Sequence, residues 1–277
     1  MGLRISTNVA ALNAQRNLRG TQLDMARSLA RLSSGYRINQ AADDAAGLAI
    51  SENLKAQIRG MGKASQNALD GISMVQVAEG GLNEVSNMLI RLRELAIQGS
   101  SDTVGDTERK FIDVEYQQLK NEIQRIAEVT SFNGTDLLNG TGGLMDIQVG
   151  IHNDPFKDRI SFNSGAADAT LEALGIANES VAHKEQAQVS IAAVDDAIVR
   201  VNAIRANFGA LQNRLQSTIA NLSIFEENVS AANSRIRDTD VAKESTELAR
   251  NNILLQAGTA VLQQANGITN IALKLLT

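Results

Sequence analysis

A mostly α-helical fold, in which long helices from the N- and C-terminal segments form a bundle or coiled coil around one small β-hairpin insert, is predicted by three features. Apolar residues recur at helical spacing over most of the chain, and the single proline falls outside those stretches. Tryptophan is absent and aromatic residues make up 3% of 277 residues, too few for a thick globular core. Strict alternation of apolar and polar residues is confined to one segment near 141–165.

The elements follow in order. Residues 5–33 carry Leu18, Met25, Leu29 and Leu32 at helical spacing, and residues 43–99 carry Leu82, Leu89, Leu92, Leu95 and Ala96. Gly60, Gly62, Gly71, Gly80 and Gly81 weaken the second helix by up to ~1 kcal/mol each relative to alanine, so close packing against neighbours is the expected compensation, with bends the alternative at some of them. Between these helices, Gly35 is placed at the end of the first in a left-handed conformation, Asp43 as N-cap of the second and Asp44 at its positive end. GSSDTVGD at 99–106 is a turn, after which Asp106 or Thr107 caps a helix reaching about Glu128. SFNGTDLLNGTGG supplies further turns; MDIQVGI and DRISF, flanking HNDPFK, make the hairpin. Helical spacing resumes near Ser180 and runs to about Arg237, and after RDTD a last helix spans about Val241 to Leu275.

In that last helix Leu254, Gly258, Val261, Ala265, Ile268, Ala272 and Leu275 alternate spacings of four and three. Such a stripe needs a partner, and residues 5–32 are the candidate within the same chain. One narrow stripe does not offset the entropy of ordering two long helices, so further burial is expected from other subunits.

Several function classes are excluded or left unsupported. A net charge of −5, with no block of Lys or Arg, gives no nucleic-acid surface. Without cysteine there is no disulfide, thiolate zinc site or cysteine nucleophile. His152 and His183 are the only imidazoles, and neither has a ligand pattern beside it. Asp43 and Asp44 are adjacent on a helix and so point apart, and no His or second acidic cluster stands at a defined spacing from them. Gly35 and Gly47 belong to no phosphate-loop pattern. No catalytic residue, cofactor or metal is assigned. Asn8 and Asn13 interrupt what would have to be the apolar core of a signal peptide, and no apolar run of 18 residues occurs.

ALNAQRNL at 11–18, RLSSGYRINQAADDAAGLAISENL at 31–54, LIRLRELAIQ at 89–98, SFNGTDLLNG at 131–140 and LQQANGITNIALKLL at 262–276 together resemble bacterial flagellin, in the same order and over nearly the whole chain. The stretch near 141–180 is shorter than in many flagellins, as in a form lacking the large variable outer domains. The resemblance implies a structural subunit that self-assembles into the extracellular flagellar filament and leaves the cell through type III export without signal cleavage. It implies an inner-tube coiled coil of residues 1–33 and 241–277, a connecting spoke of 34–42 and 238–240, and an outer-tube helical domain of 43–237. Leu18, Met25, Leu29, Leu32, Leu254, Val261, Ala265, Ile268 and Leu275 become the assembly seam, with Gly35, Asp43 and Asp44 in the spoke. Implied partners are other flagellin subunits, an export chaperone at the C-terminal segment, and cap and hook-junction proteins. LIRLRELAIQ also looks like the segment bound by an animal Toll-like receptor, which would assign Arg91, Leu95, Gln98 and Glu115 as contacts. A hook–filament junction protein of the same superfamily and a signalling coiled coil are the alternatives; the first should diverge from RLSSGYRINQAADDAAGLAI and the second should bring membrane anchors.

Overall fold

The computed structural model describes residues 7–274, with side chains described through Gly267. It is mostly helical: α1 is Val9–Ser34, α2 Ala45–Gly99, α3 Asp106–Val129, the one-turn α4 Leu171–Leu174, α5 Lys184–Arg237 and α6 Val241–Lys274. Strands β1 (Ser131–Phe132) and β2 (Thr135–Asp136) pair antiparallel, as do β3 (Leu144–Gln148) and β4 (Arg159–Asn163), where Leu144 faces Asn163 and Gln148 faces Arg159. Two compact units result, one holding the chain up to Ala56 and from Asn228 onward, the other Gln57–Glu227.

In the Gln57–Glu227 unit, each long helix buries one narrow seam. On α2 the buried positions Met61, Ala64, Ala68, Gly71, Val75, Ala78, Leu82, Val85, Leu89, Leu92, Ala96 and Gly99 alternate steps of three and four. On α5 the same rhythm runs through Ala187, Ser190, Val194, Ala197, Val201, Ile204, Phe208, Leu211 and Leu215. A 3.5-residue period keeps such a seam facing its partner along the whole helix. The two run antiparallel, because Arg93 meets Asp195 near one end and Glu79 meets Arg205 further along. Tyr116, Ile123 and Ala127 add the seam of α3, also antiparallel to α2. The β3–β4 hairpin lies across this bundle, its Phe162 ring 4.9 Å from that of Phe208.

Of Gly60, Gly62, Gly71, Gly80 and Gly81 on α2, three are sites of close approach. A Cβ on Gly71 would stand 2.7 Å from Ile147 Cδ1, one on Gly81 2.8 Å from Thr130 Oγ1, and one on Gly60 3.0 Å from Ile151 Cγ2. Gly62 and Gly80 meet nothing within 4 Å. The helix thus loses local stability at Gly60, Gly71 and Gly81 to let the hairpin region seat against it.

The structure departs from the sequence expectation at three helix starts. α2 is capped by Asp44, whose Oδ1 accepts from the Gly47 N–H at 2.9 Å, not by Asp43. The Asp43 carboxylate is turned back to the N–H groups of Asn39 and Gln40, each at 3.1 Å. α3 has Gly105 as its N-cap residue and neither Asp106 nor Thr107, since the guanidinium of Arg109 draws the Asp106 carboxylate to 2.8 Å. α5 begins at Lys184, four residues later than expected, because Asp113 Oδ1 accepts from both Ser180 Oγ and the Val181 N–H and holds that segment out of the helix. The stretch SFNGTD, expected to be turns alone, is the β1–β2 hairpin, closed by Asn133 and Gly134 with φ of 51° and 78°.

Candidate assembly surfaces

The first surface is the α1–α6 pair. Leu18 sits on Gly258, and at opposite ends Asn8 reaches Ala265 and Arg31 reaches Glu244. The order of these contacts makes the pair antiparallel. Asn8 caps α1 through the Ala11 N–H at 3.0 Å, and its Nδ2 donates to the Ala265 carbonyl at 2.8 Å.

The least exposed α1 positions, Ala11, Ala14, Leu18, Thr21, Met25, Ser28 and Leu32, step by three and four. Those of α6 are Glu244, Leu248, Asn251, Leu255, Gly258, Leu262 and Ala265, again stepping by four and three. Among the expected seam residues, Leu18, Met25, Leu32 and Ala265 therefore face inward. Leu29, Leu254 and Val261 do not; they are 50%, 47% and 56% exposed, displaced by their neighbours Ser28, Leu255 and Leu262. The Ile268 side chain and all of Leu275 lie outside the described residues.

The seam is poor in bulk and contains Ser28, Glu244 and Asn251, while Val9, Leu12, Leu23, Leu29, Ile253, Leu254 and Val261 remain outside it and open to solvent. Large apolar side chains left exposed on both helices of one pair are the mark of an interaction surface. Sequence reasoning missed Val9, Leu12, Leu23 and Ile253. Their signal was present as apolar residues just off the heptad stripe.

Between α1 and α2 the chain makes a short two-stranded crossing. Gly35 ends α1 with φ 74°, its carbonyl accepting from the Thr239 N–H at 2.9 Å. Tyr36 bridges Asp238 antiparallel, and the Arg37 N–H donates to the Arg237 carbonyl at 2.7 Å. Arg237 also lies over the Tyr36 ring, 4.8 Å from its centre, and pairs with Glu52, whose carboxyl is held below its ordinary range by that hydrogen bond. Hydrogen bonds from the Gln40 and Asn39 N–H groups likewise hold Asp43 below the usual carboxylate range.

A second surface lies on α2 and α3. Arg91 Nε donates to Glu115 Oε1 at 2.9 Å and Nη1 to Glu94 at 2.9 Å; the Glu115 bond is the main cause that raises the guanidinium above its ordinary pKa. Arg91, Gln98 and Glu115 are exposed here, flanked by Ile90, Ile97, Phe111 and Val114. Leu95 does not share this face. At 1% exposure it belongs to the core, packed on the same side as Leu92, Ala96 and Gly99 of the stripe that α2 turns toward the other helices.

Among the described residues no group of three or more His, Cys, Asp or Glu could hold a metal, and no helix is long and apolar enough to cross a membrane.

Comparison with known proteins adds the following. Models of the bacterial flagellin N-terminal helical region and C-terminal helical region match residues 5–142 and 191–276. A flagellin of Halalkalibacterium halodurans is 44% identical over 98% of this chain and 99% of its own. The flagellar filament 33 kDa core protein of Treponema phagedenis is 41% identical, over 98% of this chain and 99% of its own. The crystal structure of Bacillus cereus flagellin superposes with a TM-score of 0.51 at 31% identity, covering 57% of this chain and 88% of that one.

Proposed function

Because this chain belongs to the bacterial flagellin family, we propose that it is a structural subunit that self-assembles into the helical flagellar filament outside the cell. The observation that carries this reading is the α1–α6 pair, whose inner seam is thin and partly polar while its large apolar side chains face outward. Such a pair gains its burial from neighbouring copies, and a contact between unlike faces that does not close on itself propagates as a filament.

The division of labour follows from that premise. Residues 1–33 and 241–277 form the inner tube, 34–42 and 238–240 the spoke, and 43–237 the outer-tube domain. The subunit leaves the cell by type III export without signal cleavage, with a chaperone on the C-terminal segment, and meets cap and hook-junction proteins at the filament ends. Arg91, Gln98 and Glu115 supply the face for an animal Toll-like receptor, with Leu95 supporting it from beneath. The junction-protein alternative is not favoured, given 44% identity to a flagellin over 98% of the chain.

The test is electron microscopy after salt-induced assembly of the full chain beside variants lacking residues 1–40 or 241–277. Long uniform filaments are expected from the full chain alone, with helical circular dichroism retained by both variants. Filaments from the truncated variants, or none from the full chain on addition of filament seeds, would sink the reading.

A further inference from the structure

The chain contains three Asn-Gly pairs, at 133–134, 139–140 and 266–267. In such a pair the backbone nitrogen of the glycine, which has no Cβ to shield it, can attack the side-chain carbonyl carbon of the asparagine before it. The attack needs a main chain free to turn and an asparagine amide that is not held elsewhere. The three pairs differ in both respects.

Asn133 and Gly134 are the two-residue loop of the β1–β2 hairpin. Asn133 is exposed, and neither its amide nor the Gly134 N–H makes a hydrogen bond among the described residues. Nothing lies within 4 Å of where a Cβ on Gly134 would stand, so the nitrogen is approachable. The ladder behind the loop is Phe132 with Thr135 and Ser131 with Asp136, and so short a ladder opens at little cost.

Asn139 is held at both ends of its amide. Its Nδ2 donates to Asp136 Oδ2 at 2.7 Å, while Oδ1 accepts from the Thr141 N–H at 3.0 Å and from Thr141 Oγ1 at 2.7 Å. A Cβ on Gly140 would strike Asp168 Oδ2 at 2.7 Å, so this pair is also enclosed. Asn266 lies within α6, where the helix fixes the main chain and commits each N–H to the carbonyl four residues earlier.

We propose that Asn133 is a site of spontaneous deamidation in the folded chain, which Asn139 and Asn266 resist, and that isoaspartate formed there opens the β1–β2 hairpin. The Gly134 nitrogen gives its proton to solvent base and bonds to Asn133 Cγ. The Cγ–Nδ2 bond breaks, ammonia leaves, and a five-membered succinimide closes. Water then adds to one ring carbonyl: cleavage at Cγ gives aspartate, and cleavage at the main-chain carbonyl gives isoaspartate, whose backbone runs through the former side chain. One water is consumed and one ammonia released, with no oxidant or reductant. Isoaspartate lengthens by one carbon a loop that spans two residues. The flanking Thr130 and Leu138, which seat against Gly81 of α2, are joined through this hairpin, where the Leu137 N–H donates to the Thr130 carbonyl at 3.0 Å.

The experiment incubates the full chain in mildly alkaline buffer, folded and in urea, and reads each Asn-Gly pair by peptide mass spectrometry. Isoaspartyl methyltransferase with labelled methyl donor counts the isoaspartate. In the folded chain Asn133 should convert about tenfold or more faster than Asn139, where two or more hydrogen bonds must break first, and the difference should vanish in urea. A chain aged until Asn133 is converted should melt about 2–4 °C lower. Asn133→Gln aged in parallel should keep its Tm, because glutamine must close a less favoured six-membered ring. Conversion of Asn139 or Asn266 as fast as Asn133 in the folded chain, or an intact Asn133 under conditions where the unfolded chain reacts, overturns the site. Full conversion to isoaspartate with an unchanged Tm overturns the opening of the hairpin.

Discussion

Leu18 of α1 lies directly on Gly258 of α6, close enough that a Cβ on Gly258 would meet Leu18 Cγ at 3.1 Å. A small group there forces Leu18 aside by a few tenths of an ångström; a branched one separates the helices. Gly258→Val is therefore expected to abolish polymerisation although valine has the better helix propensity. Filament yield by sedimentation, beside a thermal melt, checks this. Assembly at the parental level would mean the seam tolerates a gap.

Arg109 is the fastening of the α2–α3 turn. Its buried side chain makes three hydrogen bonds, to the Gly99 and Ser101 carbonyls and the Asp106 carboxylate. Arg109→Ala leaves buried carbonyls unpaired at the C-terminal end of α2, a loss of about 2–4 kcal/mol. For a unit of this size the Tm should fall by roughly 5–15 °C. Differential scanning calorimetry of the monomer reads the change, and an unmoved Tm would show that water replaces the guanidinium without cost.

Tyr116 carries a hydroxyl that is buried and has no hydrogen-bond partner among the described residues, and burial pushes its pKa up to about 12. The folded value lies above the unfolded one of about 10, so the folded state holds its proton more tightly. Stability present below pH 10 is lost as pH rises toward 12. Tyr116→Phe removes that loss and strands no partner, so its Tm should equal or exceed the parent's at pH 7 and fall less steeply between pH 10 and 12. Parallel Tm-against-pH curves would refute this assignment of the alkaline loss.

Asp43 and Asp44 separate by role. Asp44→Ala removes the cap of α2 and should cost about 1 kcal/mol at neutral pH. Asp43 has its folded pKa depressed, so its contribution is present above its unfolded value of 3.8 and is lost as pH falls through the folded one. Asp43→Asn should accordingly differ from the parent at pH 6 and converge with it in acid, as followed by circular dichroism melts.

The long helices were legible because three-four spacing survives any choice of partner, and the β3–β4 hairpin because alternation has no helical reading. The seam was legible only to within one residue. Leu254 and Leu255, like Val261 and Leu262, are adjacent apolar pairs with equal periodicity, and only the antiparallel partner decides which member turns inward. A template of apolar residues also passes over Ser28, Asn251 and Glu244, polar groups that nonetheless line the pair. Leu95 shows the same limit on α2: sharing a motif with Arg91 and Gln98 says nothing about which side of the helix is covered.

The hydrogen bond from Asn8 to the Ala265 carbonyl joins the first described turn of the chain to one of its last. A ribosome that stops early, or a protease that trims the C-terminus back past Ala265, removes that acceptor and the last step of the seam facing α1, although α1 itself is intact. A missing C-terminal end thus shows itself at the N-terminal one. The pairing makes the capped start of α1 depend on a residue more than 250 positions away along the chain.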